Sequence, residues 1–283
     1  MSTTTPAATP ATPTPILDST AAGAPGPEGG FRDLLAAEWI KLRSLRSTAW
    51  TVGLTLLFAL GATAVTALTG DRPAGAAFLP YVAYPPAGWW TLILVASVSG
   101  ALAAVGEYST GLVRTTTVAV PARGAVVLAK AGVVGALWTA VGALLSCGAV
   151  LTAHLLTGGR LADLPLDAPG VFRAMIASAL LAPVCALVGL GLGVLVRHAG
   201  GTIAIAVGVL VMLPPLFSER EAWSAQLKHS MVLPAWNRLV QTWEPDPSSL
   251  NLPAGVPGSW LVLLLWPALA LALAVLTVRR RDV

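Results

Sequence analysis

Four charged side chains and a run of hydroxyls stand where the surrounding sequence is apolar. Residues 106–124, "GEYSTGLVRTTTVAVPARG", carry Glu107, Arg114 and Arg123, with hydroxyls at Ser109, Thr110, Thr115, Thr116 and Thr117, and Lys130 lies just beyond. Such groups can form ion pairs and hydrogen bonds, but they do not make a catalytic set. The three histidines, His154, His198 and His229, are far apart in the chain, and none belongs to an H-E-x-x-H zinc pair. His154 and His198 read instead as residues near helix ends at the membrane interface. A G-x-S-x-G nucleophile elbow, a paired carboxylate set within an apolar run and a G-x-x-x-x-G-K-[ST] phosphate loop are all missing. The sequence therefore predicts no catalytic residue, no metal site and no nucleotide hydrolysis by this chain itself.

A second constellation precedes the first long apolar run. In "FRDLLAAEWIKLRSLRSTAW" a helical wheel gathers Phe31, Leu34, Leu35, Trp39, Leu42 and Leu45 on one side, with Arg32, Asp33 and Arg43 on the other. This pattern predicts a helix lying in the membrane interface, with Lys41, Arg43 and Arg46 near anionic headgroups. Glu38 falls within the apolar arc, where a passive anchor needs no acid. It either pairs with Lys41 at i+3 or reaches another inner segment, so the helix reads as an anchor or as a partner contact.

The elements that must position these groups follow from composition. Of 283 residues 55% are hydrophobic and 11% charged, against roughly 25% charged in an average soluble domain. Apolar runs of about 20 residues match the roughly 30 Å hydrocarbon core at 1.5 Å of rise per residue. Six are found, at about 49–69, 88–105, 124–156, 171–196, 199–217 and 259–278. Runs of that length exclude a transmembrane barrel with its period-two strands, and the expected fold is an all-α integral membrane protein with six transmembrane helices. Residues 1–30, rich in Thr, Ala, Pro and Gly, form an expected disordered tail, with the six-span domain at 31–283. The tail lacks the basic n-region and apolar core of a signal peptide.

Orientation follows from the cations. With both ends in the cytoplasm, the inner segments hold Arg32, Lys41, Arg43, Arg46, Arg114, Arg123, Lys130, Arg197, Arg279, Arg280 and Arg281, which is 11 of 17. The net charge of +4 thus reads as membrane topology and not as a nucleic-acid footprint. Trp50 opens the first span at the inner face, and Trp89, Trp90 and Trp260 are expected in the outer aromatic belt, while Trp138 and Trp266 read as packing residues. Cys147 and Cys185 fall within spans as small apolar packing residues.

No span has an acid or base at its middle. Lys130 lies less than two turns into the third span and can snorkel; Arg173 and Arg197 flank the fourth. This disfavours proton- or sodium-coupled transport. Residues 106–124 then face the cytoplasm, where Ser109 or Thr110 can cap a short helix over about 112–119 that ends before Pro121.

The series Glu107, Gly111, Arg114, Thr117, Pro121, Arg123 and Lys130 resembles the inner-loop motif of permease subunits of type-2 ABC exporters. "AAEWIKLRSLRSTAW" is similar to their N-terminal elbow, with Glu38, Trp39, Lys41, Arg43 and Arg46, and the "VRRRDV" ending is similar to that of actinobacterial members. The family often carries Thr where this chain has Leu112, and a leucine pair where it has Thr116 and Thr117. The resemblance implies that the stretch between spans 2 and 3 is a cytoplasmic coupling helix docked on a separate ATP-binding cassette subunit. ATP and Mg would belong to that subunit, and this chain would hold no cofactor. It further implies a homodimer or a heterodimer with a sister permease, in a bacterial cytoplasmic membrane.

On this reading Glu107, Arg114 and Arg123 fix the coupling helix against the elbow or the motor, and Pro121 sets its end. Gly189 and Gly193 form a small-xxx-small pair that packs either within the bundle or at a dimer seam. The outer segment at about 218–258, with Trp223, Trp236, Trp243 and Leu239, is expected to form short helices on, or dipping into, the outer leaflet. In the family that segment caps the exit. Two other classes fit the same sequence: a non-transporting scaffold for a cytoplasmic partner, and a gradient-driven transporter. The cargo is not legible.

Overall fold

The computed structural model describes residues 30–69, 79–110, 123–157, 170–242, 252 and 254–280. Among them all regular structure is helical, as an apolar chain with long uninterrupted runs requires. Helix α1 (Phe31–Ser44) begins where the Gly30 N–H donates to Asp33 at 2.9 Å, and it ends at Leu45, whose extended backbone redirects the chain into α2 (Arg46–Thr69). The short α3 (Leu79–Ala83) leads into α4 (Pro86–Thr110); α5 (Arg123–Leu156) and α6 (Val171–Val196) follow, and α10 (Val256–Arg280) comes last. Among the described residues five helices are long and apolar enough to cross a membrane: Arg46–Thr69, Pro86–Glu107, Gly124–Leu156, Val171–Val196 and Val256–Arg280.

The expected span at 199–217 is not one helix. It divides into α7 (Ala199–Val207), a π-helical turn (Gly208–Met212) and a 3-10 turn (Pro214–Leu216). The Leu213 N–H reaches back five residues to Gly208 O at 2.7 Å, and Pro214 and Pro215 then end the ladder. The apolar helix Ala199–Met212 rises only about 21 Å, short of a core of about 30 Å. Two short helices follow, α8 (Ala222–His229) and α9 (Val232–Val240), and the end of α9 lies beside the start of α6, where Arg173 donates to Leu239 O and Gln241 O. Both α1 and the last turn of α10 lie at the same end of the bundle, with Lys41 beside Glu107 and Arg279 beside Gly124.

Helix α6 is the centre. It is apolar on every side, and 67% of its spanning window is buried, against 22% for α2 and 17% for α10. Helices α4, α5 and α10 all lie on it, whereas α4 and α5 touch each other little. Close approach depends on missing side chains: a Cβ at Gly189 would collide with the Ser97 carbonyl of α4, and one at Gly142 of α5 with the Ala179 carbonyl of α6. Gly193 meets Ala101 and Ala104 of α4. Both members of the glycine pair thus face a neighbour within the same chain.

Several expected surface positions lie elsewhere. Trp89 is fully buried, stacked on Trp236 at 5.6 Å and edge-on to Tyr84 at 5.0 Å. Trp236 itself belongs to the core, donating to Ser178 at 3.1 Å, because α9 packs between α6 and α10 and does not lie on a leaflet. Trp223 on α8 is exposed, and Trp243 lies outside the described residues. Trp138 is buried and Cys185 is buried, but Cys147 is exposed on the bundle surface. His198 serves as the N-cap of α7, its Nδ1 accepting the Gly201 N–H at 3.1 Å.

Candidate functional site: a buried charge network

Two acids and two lysines from three helices form a network at the α1 end of the bundle. Glu38 of α1 accepts from Lys41 at 2.7 Å through Oε1 and from Lys130 of α5 at 2.7 Å through Oε2. Glu107 of α4 accepts at Oε1 from Lys130 at 2.8 Å and from Lys41 at 3.0 Å. Each ammonium thus bridges both carboxylates. The formal charges cancel, which is the condition under which such groups tolerate removal from water.

Local sequence explains the arrangement. Glu38 and Lys41, three residues apart, share a face of α1, and the apolar arc around Glu38 presses that face on α5, where Leu35 fills the space over Gly132. Glu38 and Lys130 are 7% and 8% exposed. Lys41 forms the open side of the network, its side chain 44% exposed. Desolvation is the largest influence on Lys41 and acts to lower its pKa, but the bonds and charges of Glu38 and Glu107 outweigh it, and the ammonium is held above the ordinary lysine range.

The network's chemistry is mechanical. With both carboxylates engaged by both ammoniums, α1 is fastened to the last turn of α4 and the early turns of α5. Those two helices flank residues 111–122, so α1 and both ends of that segment are joined at one point. Among the described residues no three His, Cys, Asp or Glu side chains stand close enough to share a metal ion.

Of the residues singled out between spans 2 and 3, Glu107 belongs to this network and Arg123 is the first residue of α5. Gly111, Arg114, Thr117, Pro121 and the expected helix over 112–119 lie outside the described residues, as do the tail before Gly30 and the last three residues. On α1, Glu38 and Lys41 are brought into the network, while Trp39 is 46% exposed and Arg43 is exposed, as is Arg46 at the start of α2. Lys130, read from sequence as a snorkelling lysine, is instead a central member. The signal was present: an ammonium inside a span calls for a partner, and of the acids in the inner segments Glu38 stands within an apolar arc and Glu107 at the end of the preceding apolar run.

A second polar cluster holds the opposite end. The Tyr84 hydroxyl lies 3.0 Å from Ser146 Oγ, which donates to Met175 O at 2.9 Å. Arg173 donates to Leu239 O at 3.0 Å and Gln241 O at 2.7 Å, tying the last carbonyls of α9 to the start of α6. Sequence reasoning placed Arg173 only near a helix end.

No protein-family model matches the chain, and no curated protein matches its sequence.

Proposed function

We propose that the chain is the membrane-spanning permease subunit of an ATP-driven ABC exporter, with its α1 end in the cytoplasm. The observation that carries this reading is the buried Glu38–Lys41–Glu107–Lys130 network. An interfacial anchor would leave its charges in water. Here ions are buried, at a desolvation cost, to hold α1 in register with both helices that flank residues 111–122. That is the construction a force-bearing segment needs, because a load applied there passes into α1, α4 and α5 together.

In this reading residues 111–122 form the coupling helix, with Gly111, Arg114, Thr117 and Pro121 toward the ATPase and Glu107 and Arg123 at its roots. The partner subunit binds ATP and Mg, and its closure moves the coupling helix. The network passes that movement to the spans, and the permease acts as a homodimer or beside a sister permease. The chain itself contributes no catalytic group.

The test is purification of the tagged chain from its native membrane in mild detergent. An ATP-binding protein should accompany it, and Arg114→Glu should release that protein while leaving the chain folded. Absence of any nucleotide-binding partner under several gentle conditions would overturn the proposal.

A further inference from the structure

A groove of about 530 Å³ opens beside the joint between α1 and α2. Its walls come from Leu45 and Thr51, from Leu94, Val98 and Leu102 of α4, and from Trp138 of α5. Along α4 its lining runs from Gly106, one residue from the charge network, to Leu94. Along α4 that distance is about 18 Å, close to half of a hydrocarbon core of about 30 Å. The groove therefore spans one leaflet, the leaflet in which α1 lies.

Its lining is largely apolar, with hydroxyls from Ser47, Thr48 and Thr51 near the start of α2 and from Ser99 on α4. Trp138 is turned so that its Nε1–H donates to Ser99 at 3.3 Å, leaving the ring as part of the wall. Two cations adjoin the lining in the chain: Arg43 follows Leu42, and Arg46 stands between Leu45 and Ser47. Both are exposed and make no ion pair among the described residues, unlike Lys41 nearby. Arg43 also lines a second, shallower groove on the other flank of the same joint, which shares Leu42, Leu45, Thr48 and Val52 with the first. Trp39 and Trp50, 46% and 71% exposed, stand on either side of the two arginines in the chain.

An apolar slot one leaflet deep, flanked in the chain by two guanidinium groups without an ion-pair partner among the described residues, matches an amphiphile with an anionic head. We infer that this groove binds one anionic phospholipid of the α1-side leaflet, its acyl chain along α4 and its phosphate at Arg43 and Arg46. The inference is independent of the exporter reading. A second copy of the chain fits the same surface less well. A two-fold contact with its axis at this end of the groove would bring each Arg43 and Arg46 toward its own counterpart, like charge against like. A water-soluble partner could reach the rim but not the depth.

The test uses the full chain in nanodiscs holding equal amounts of phosphatidylglycerol and phosphatidylcholine with 16-carbon chains, followed by native mass spectrometry after release. One phosphatidylglycerol per chain is expected to be retained in preference to phosphatidylcholine. Arg43→Gln with Arg46→Gln should weaken that retention by about 25-fold, about fivefold for each cation near the headgroups. Val98→Trp, which fills the groove and keeps both arginines, should abolish it. Bromine-labelled acyl chains on phosphatidylglycerol supply a reading that does not depend on either variant's folding. They should quench a component of tryptophan emission that Trp138→Phe removes. Equal retention of the two lipids, unchanged retention in the arginine double variant, or quenching that survives loss of Trp138 would each overturn the assignment. Recovery of lipid-free dimers broken up by Val98→Trp would overturn it in favour of a second copy.

Discussion

Lys130 Nζ and Glu38 Oε2 meet at 2.7 Å across 92 residues of sequence, both almost wholly buried. Because Lys130 also serves Glu107 and Lys41 serves both acids, the four groups should behave as one unit. In a double-mutant cycle, Glu38→Gln and Lys130→Met should deviate from additivity by on the order of 1–3 kcal/mol. The measurement is reversible unfolding in mixed micelles. Additivity within about 0.5 kcal/mol would mean that the pair is not energetically coupled.

The pH response of the network has a defined sign. Lys41 is held above the ordinary lysine range by Glu38 and Glu107 against its own desolvation. Its contribution is therefore fully present below the unfolded-state value, about 10.4, and is lost only as pH rises through the higher folded value. Melting followed from pH 7 into the alkaline range should show a fall that Lys41→Met removes. A Lys41-dependent loss already complete near neutrality would contradict the geometry.

On α8 the sign is the reverse. Desolvation, with Lys228 adding to it, depresses the His229 pKa more than Glu219 restores it. A histidine with a depressed folded pKa leaves stability untouched well above its unfolded value of about 6.5 and costs stability as pH falls below it. His229→Gln should flatten the acid side of the melting profile between about pH 6.5 and 5. An unchanged profile would show that His229 titrates alike in the folded and unfolded chains.

The helix seams make a sharper test. Gly189→Ala drives a Cβ into the Ser97 backbone carbonyl, which cannot swing aside as a side chain would, and should destabilise by roughly 1–3 kcal/mol. Gly61 in α2 has open space at the same atom, and Gly61→Ala should be neutral or stabilising by up to about 1 kcal/mol through helix propensity. Equal effects of the two substitutions would refute the close α4–α6 contact.

Arg173 offers a local counterpart. Its two bonds to Leu239 O and Gln241 O are charge-assisted, so Arg173→Met should cost roughly 1.5–3 kcal/mol, felt first by α9. Hydrogen exchange over Val232–Val240 should speed up before that of α6 does. A uniform change across both helices would contradict a local tie.

Much of the bundle was legible because membrane spans are specified by length and apolarity alone, and 171–196 and 124–156 lie within a residue of the helices found. The region after Arg197 was misread because averaging over 199–217 conceals Pro214 and Pro215, two residues that end a helix whatever surrounds them. Trp89 and Trp236 were misplaced for another reason. An interfacial belt and a buried aromatic stack use the same residue near the same helix end, and only tertiary neighbours distinguish them. In the charge network the i+3 pair Glu38–Lys41 was visible locally, whereas Lys130 with Glu38 depends on the packing of α1 against α5, which no spacing in the chain encodes.

The central position of α6 bears on how the protein is made. Helices α2, α4 and α5 leave the ribosome before α6, and α4 and α5 have little contact with each other until α6 lies between them. Once inserted, α4 and α5 are joined through α2, which packs on both, and through the charge network at α1, while the broad faces they turn to α6 are without their partner. Arrival of the fourth spanning segment converts that loose set into a bundle. Nascent chains cut before about residue 170 should be inserted yet exposed to membrane proteases, and chains extended past Arg197 should acquire resistance in a single step during synthesis.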